Sequence, residues 1–164
     1  MASGRSSSQA SGKHEWNSYE NYRVLHEKYL KTHPAVEGHD IEIQTYQADG
    51  ETYVEVYGSI RCRNGVVLEV SKYAETEIRG GRNSRLWVRT FSFRYNAHIP
   101  GRCTVLRYDN GHSEDFEEYH CHEFDTTAGE AVKEAKQISR HEMPHLSEVL
   151  DEIDALPLPS SDSN

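Results

Sequence analysis

The sequence predicts an α+β fold: an antiparallel β-sheet of about five to six strands in hairpin and meander order, with one N-terminal and two C-terminal helices packed on it. Three observations predict it. The middle of the chain alternates apolar and polar residues with period two, both ends carry apolar residues at helical spacing, and short turns join the alternating runs as hairpins. At 164 residues the chain makes one domain, placed at residues 14–156. The Ser- and Gly-rich segment 1–13 and the tail 157–164 (LPSSDSN at its end) are too polar to join a core and read as disordered.

The first element, within residues 14–35, is a helix over YENYRVLHEKYLKT. Tyr19, Tyr22, Leu25, Tyr29 and Leu30 recur at near-helical intervals, Ser18 stands as N-cap and Pro34 lies beyond the end. Two strands follow, IEIQTY and YVEVYGSIRC, the second presenting Val54, Val56, Gly58, Ile60 and Cys62 on one face. The next turn is decided by register. A two-residue Asn64-Gly65 loop would set Ile60 against Glu69 and mix core with solvent. A three-residue loop of Arg63, Asn64 and Gly65, with Gly65 left-handed, pairs Cys62 with Val66, Ile60 with Leu68 and Gly58 with Val70.

The run LWVRTFSFRY then places Trp87, Phe91, Phe93 and Tyr95 on one face with Arg89, and Leu86, Val88, Thr90, Ser92 and Arg94 on the other. Pro100 and Gly101 turn the chain into TVLRYDN, and a second turn leads into FEEYHCHEF, completing a meander. Thr127 and Glu130 form a capping-box pattern ahead of Ala131, Ala135 and Ile138, and Pro144 precedes Leu146, Val149, Leu150, Ile153 and Leu156. These are the two C-terminal helices.

Composition narrows the function classes. There is no apolar run near the ~20 residues of a membrane span, and the N-terminus has no apolar core of a signal peptide. Cys62, Cys103 and Cys121 are odd in number and lack paired spacing, which argues against disulfides and structural zinc and points to a reducing cytoplasm. The net charge of −9 hides an asymmetry. Residues 79 to 107 hold seven arginines and no Asp, Glu or Lys, so the remainder carries −16.

The densest chemistry lies in RYDNGHSEDFEEYHCHEF, residues 107 to 124. His120 and His122, two apart on a strand, share a face, and antiparallel pairing with the preceding strand brings Arg107 and Asp109 beside them, with His112 at the turn. Two imidazoles and a guanidinium supply the base, the acid and the cation that RNA cleavage through its own 2′-hydroxyl requires, without metal. In that reading Arg107 clamps phosphate and Asp109 orients a ring nitrogen. Arg79, Arg82, Arg85, Arg89 and Arg94 dock the backbone, and Tyr95 is open to base stacking where Trp87, Phe91 and Phe93 read as core. Two other readings stand beside it. His120 and His122 form half of a divalent-metal site, completed by Glu118, Asp109 or His112, or the histidines are incidental on a non-catalytic, protein-binding or regulatory module.

The segments FSFRY, VLRYDNGH, YHCHEFD and MPHLSEVLDEIDAL together resemble the pattern of the TumE-like toxins of toxin–antitoxin pairs, over roughly residues 36 to 156. Carried over by position, the pattern falls on Arg107, Tyr108, Asp109, Asn110, His112, His120 and His122. The resemblance implies a growth-arresting toxin held inactive by an antitoxin with a DNA-binding helix-turn-helix, and it adds Tyr108 and Asn110 to the substrate-binding set. A homo-oligomer is compatible with it, and no cofactor is implied beyond the alternative metal. The acidic gap SEDFEEY departs from the family pattern and would turn a polyanion toward the arginine side.

Overall fold

The computed structural model describes residues 13–111, 118–124 and 135–158. Among these residues it is α+β, with nine antiparallel strands in one open sheet and two helices. The six expected strands are all present: β3 (Glu42–Ala48), β4 (Glu51–Cys62), β5 (Val67–Arg79), β6 (Arg85–Ile99), β7 (Cys103–Asp109) and β8 (Tyr119–Glu123). Three short ones add to them, β1 (Asn17–Ser18), β2 (Val36–His39) and β9 (Lys136–Ile138). The order is β2-β4-β5-β6-β7-β8-β9, with β3 continuing the β2 edge along β4 and β1 pairing β6.

Helix α1 spans Tyr19–Thr32, and the Ser18 hydroxyl accepts the Asn21 N–H at 3.2 Å, as an N-cap should. Its buried residues are His26 and Leu30, whereas Leu25, expected on the packed stripe, is exposed. Helix α2 spans Leu146–Asp154 and buries Leu146, Val149, Leu150 and Ile153, the stripe read from the sequence. Both helices pack on one face, where β4, β5, β6 and β7 send in Val56, Ile60, Leu68, Val70, Phe93, Tyr95 and Leu106. Each such side chain contributes roughly 1.5–3 kcal/mol by leaving water.

The hairpin between β4 and β5 has the three-residue loop. Ile60 faces Leu68, Gly58 faces Val70, and Gly65 turns at φ +88°, a left-handed value that disfavours other residues. Gly58 is needed for a different reason. A Cβ there would lie 2.8 Å from the Asp40 carbonyl and carboxylate oxygens, where the edge passes from β2 to β3.

Strand β6 departs from simple alternation. Tyr73 pairs with Ser92 and Ala74 with Thr90, so Phe91 is an extra residue and the faces exchange there. Val88 and Thr90 therefore point inward with Phe93, Tyr95 and Ala97, and the expected single face of Trp87, Phe91, Phe93 and Tyr95 is divided.

The first C-terminal helix is corrected at its end. Lys136–Ile138 is a strand that satisfies the free edge of β8, with Tyr119 opposite Ile138. Its capping box at Thr127 and Glu130 lies outside the described residues, as do the segments expected to be disordered apart from residues 13, 157 and 158. Among the described residues Cys62, Cys103 and Cys121 form no disulfide, and no helix is long and apolar enough to cross a membrane.

Candidate active site

The meander of β6, β7 and β8 builds the site by register. Arg107 lies opposite His122 and Asp109 opposite His120, while on the other side Asp109 faces Arg94 and Arg107 faces Asn96. Residues directly opposite in a sheet share a face. That face is turned away from α1 and α2, because the intervening Leu106 and Tyr108 enter the core.

Asp109 is the hub. Its side chain is only 3% exposed, and its Oδ2 accepts a hydrogen bond from Arg107 Nε at 2.7 Å. His122 Nε2 stands 3.7 Å from the same oxygen and His120 Nδ1 stands 4.0 Å from Oδ1. These spacings are long for hydrogen bonds. The two imidazole centroids are 6.3 Å apart, and His122 lies against Phe124 at 6.4 Å with near-parallel planes. The histidine side chains are 19% and 24% exposed, so they can meet a ligand.

Asn110 fixes the end of β7. Its side-chain oxygen accepts the Phe93 N–H at 2.7 Å, and its amide donates to the Phe91 carbonyl at 2.7 Å. The fully buried amide thus supplies the ladder contacts that the bulge at Phe91 interrupts, and it holds Asp109 in line with Arg94. Asn110 is fully buried, with its amide turned to the β6 backbone. Tyr108 is likewise inward, and its hydroxyl donates to the Glu152 carboxylate at 2.8 and 2.9 Å, tying β7 to α2. Tyr95 is 1% exposed on the core side of β6, so its ring offers no face for base stacking.

The arginine run is dispersed. Arg94 and Arg107 belong to the site, but Arg79, Arg82 and Arg85 sit at the far end of the β5–β6 hairpin. Nine residues of strand separate Arg85 from Arg94, roughly 30 Å at about 3.3 Å each. Beside Arg107, two more of the run are engaged with carboxylates: Arg89 Nε donates to Glu75 at 2.7 Å and Arg79 pairs with Glu77 at 3.1 Å. Arg79 and Arg89 also lie over the Trp16 ring, at 5.0 and 5.2 Å. Arg82 and Arg85 are exposed.

Sequence reasoning missed the neighbours that β5 contributes. Ser71 lies opposite Arg94 and Glu69 opposite Asn96, on the same face as the histidines. Their signal lies in the three-residue hairpin register, since Leu68 and Val70 inward force Glu69 and Ser71 outward. Farther along that face, β3 to β5 are acidic: Tyr57 donates to Glu42 at 2.6 Å and Tyr53 to Glu51 at 3.0 Å. The face is thus cationic at β6–β8 and anionic beyond.

His112 lies outside the described residues, as do residues 113 to 117 of the acidic gap. Among the described residues no group of three or more His, Cys, Asp or Glu is arranged to hold a metal ion. The described donors nearest to such a role are His120, His122 and Asp109.

No curated protein and no solved structure matches the chain. A family model described as Toxin TumE matches residues 26–157, a span that contains the whole Arg-Asp-His cluster and the sheet that frames it. The chain therefore belongs to the TumE toxin family, whose members act as toxins and have an antitoxin as partner.

Proposed function

We propose that this toxin is a metal-independent endoribonuclease. The observation that carries the reading is the register that sets His120 and His122 opposite Asp109 and Arg107 on one sheet face. An RNA phosphodiester between the two rings has its 2′-hydroxyl against one imidazole and its leaving 5′-oxygen against the other. The neutral ring takes the 2′-hydroxyl proton, the alkoxide attacks phosphorus, and the protonated ring gives its proton to the departing oxygen. The products are a 2′,3′-cyclic phosphate and a 5′-hydroxyl.

Arg107, held by Asp109, and Arg94 beside it stabilise the charge that gathers on the phosphoryl oxygens. The Asp109 carboxylate stands beside both rings, 4.0 Å from His120 Nδ1 and 3.7 Å from His122 Nε2. The acidic residues on β3 to β5 steer the RNA backbone along β6 to β8, with Arg82 and Arg85 as a distal contact for a longer strand.

The test is cleavage of end-labelled RNA by the purified chain, with and without a chelator, beside the His120→Ala/His122→Ala double variant. Cutting that survives the chelator, yields cyclic phosphate ends and disappears in the variant supports the reading. Cutting that the chelator stops moves the histidines to metal ligands. A variant that remains toxic in cells removes them from the chemistry.

A further inference from the structure

On the opposite face of the sheet, strand β5 carries Leu68, Val70, Lys72 and Ala74 inward in strict alternation. Lys72 is 4% exposed, and its ammonium donates to His26 Nε2 at 2.9 Å. The His26 tautomer is fixed, because Nδ1 donates to the Tyr22 carbonyl at 2.7 Å and leaves the Nε2 lone pair for the lysine. The ammonium also stands 5.3 Å from the Tyr22 ring centroid and 5.9 Å from that of Phe93.

Among the described residues no carboxylate lies within ion-pair distance of Lys72. Lys13, at the same cavity, is paired with Glu148 at 2.6 Å, and Glu15 lies 3.9 Å from Arg140. The histidines facing the cavity do not add charge near neutrality. Burial draws His14 and His26 down to about 3, and it lowers His145 as well. Burial also draws Lys72 down to about 7, so near neutrality a large share of it is charged and has no counter-ion among the described residues.

Lys72 opens onto a cavity of about 550 Å³, a volume that suits a small organic ligand. Trp16, Trp87, Tyr22 and Tyr29 supply aromatic walls, and Thr90 adds a hydroxyl. Trp16 and Tyr22 precede residue 26, where the family match begins, so this cavity is partly built from chain outside the family's common part.

We propose that this cavity is a second ligand site, which takes a small molecule bearing a planar aromatic ring and one anionic group. The anion, carboxylate or phosphate, pairs with Lys72, and the ring lies against the tryptophans. Neither step involves the Arg-Asp-His face, so the site stands or falls apart from the nuclease reading.

Trp16 and Trp87 are the chain's two tryptophans and both line the cavity, so its intrinsic fluorescence reports on this site. The experiment titrates the full chain with adenosine 5′-monophosphate and, separately, with benzoate, against the uncharged adenosine and benzamide. Saturable quenching by either anion, at least tenfold weaker for its neutral counterpart and at least tenfold weaker in Lys72→Met, is expected, and the responding anion identifies phosphate or carboxylate. Equal response to the neutral compounds, undiminished response in Lys72→Met, or no saturable response to either anion overturns the site. The comparison of charged with neutral compounds uses the unaltered chain and needs no variant to fold.

Discussion

Arg107 and Asp109, two residues apart on β7, are joined by a 2.7 Å hydrogen-bonded ion pair on the sheet face that carries His120 and His122. Side chains at i and i+2 on a strand point the same way, so the pair is a direct consequence of the Arg-Tyr-Asp order. The intervening Tyr108 is sent inward by the same geometry. One tripeptide therefore contributes both the cation of the site and the anchor that holds its strand to α2.

The first prediction separates these roles at Asp109. Asp109→Asn keeps the shape and removes the charge that holds Arg107 and faces both imidazoles. RNA cleavage should fall by about a hundredfold or more, as expected when an acid-base pair loses its electrostatic support. Stability should fall by about 1–3 kcal/mol in urea unfolding, because the Arg107 guanidinium loses a charged partner. Undiminished cleavage would show that Asp109 is structural alone.

Tyr108 should behave in the opposite way. Tyr108→Phe deletes the hydroxyl bonded to Glu152 and leaves the ring in the core. Stability should drop by about 1 kcal/mol, with cleavage and toxicity unchanged at permissive temperature. A loss of activity without a loss of stability would return Tyr108 to the substrate-binding set.

How far the sequence reached depends on whether parity survives. Where alternation is unbroken, from Gly58 to Val70, turn length and hydrophobic pattern select one register, and Ile60 meets Leu68 as read. The pairing of His120 with Asp109 follows for the same reason. Across Phe91 parity reverses, and no glycine marks the bulge, so Val88 and Thr90 read as facing away from Phe93 and Tyr95 when all four are buried together. The alternation that puts Val70 and Ala74 inside also puts Lys72 inside, but a lysine gives no hint of a cavity. The dispersal of the arginines could not be read from their number, since distance along a long hairpin replaces proximity in sequence.

Asn110 offers a test of the bulge. Asn110→Ala strips both side-chain bonds to the β6 backbone, one at the buried Phe93 N–H and one at the part-buried Phe91 carbonyl. A cost of about 2–4 kcal/mol is expected from the two lost hydrogen bonds. Asn110→Asp should cost more at neutral pH than at pH 4, because a carboxylate oxygen then faces the Phe91 carbonyl. Thermal melting of both variants across pH checks this, and equal stability of the two at pH 7 would refute the assigned amide orientation.

Lys72 gives stability a dependence on pH whose sign is fixed. Its folded value is lowered from 10.5 to about 7, so between those limits the unfolded chain holds a proton that the folded chain has released. Unfolding takes up a proton there, and stability from this group rises with pH. Cys62 and the buried tyrosines, raised by burial, act in the opposite direction once pH passes about 9, the ordinary thiol value. The clear window is therefore pH 7 to 9, where melting temperature should climb. Lys72→Met should flatten that climb and be more stable than the parent at pH 7, because it removes a buried charge and keeps most of the side-chain volume. His14 and His26, lowered from 6.5 to about 3, bind protons more readily when unfolded, so stability should also fall as pH drops from 6.5 toward 3, in the parent and the variant alike. A melting profile of Lys72→Met that still rises from pH 7 to 9 would place the titration on another group.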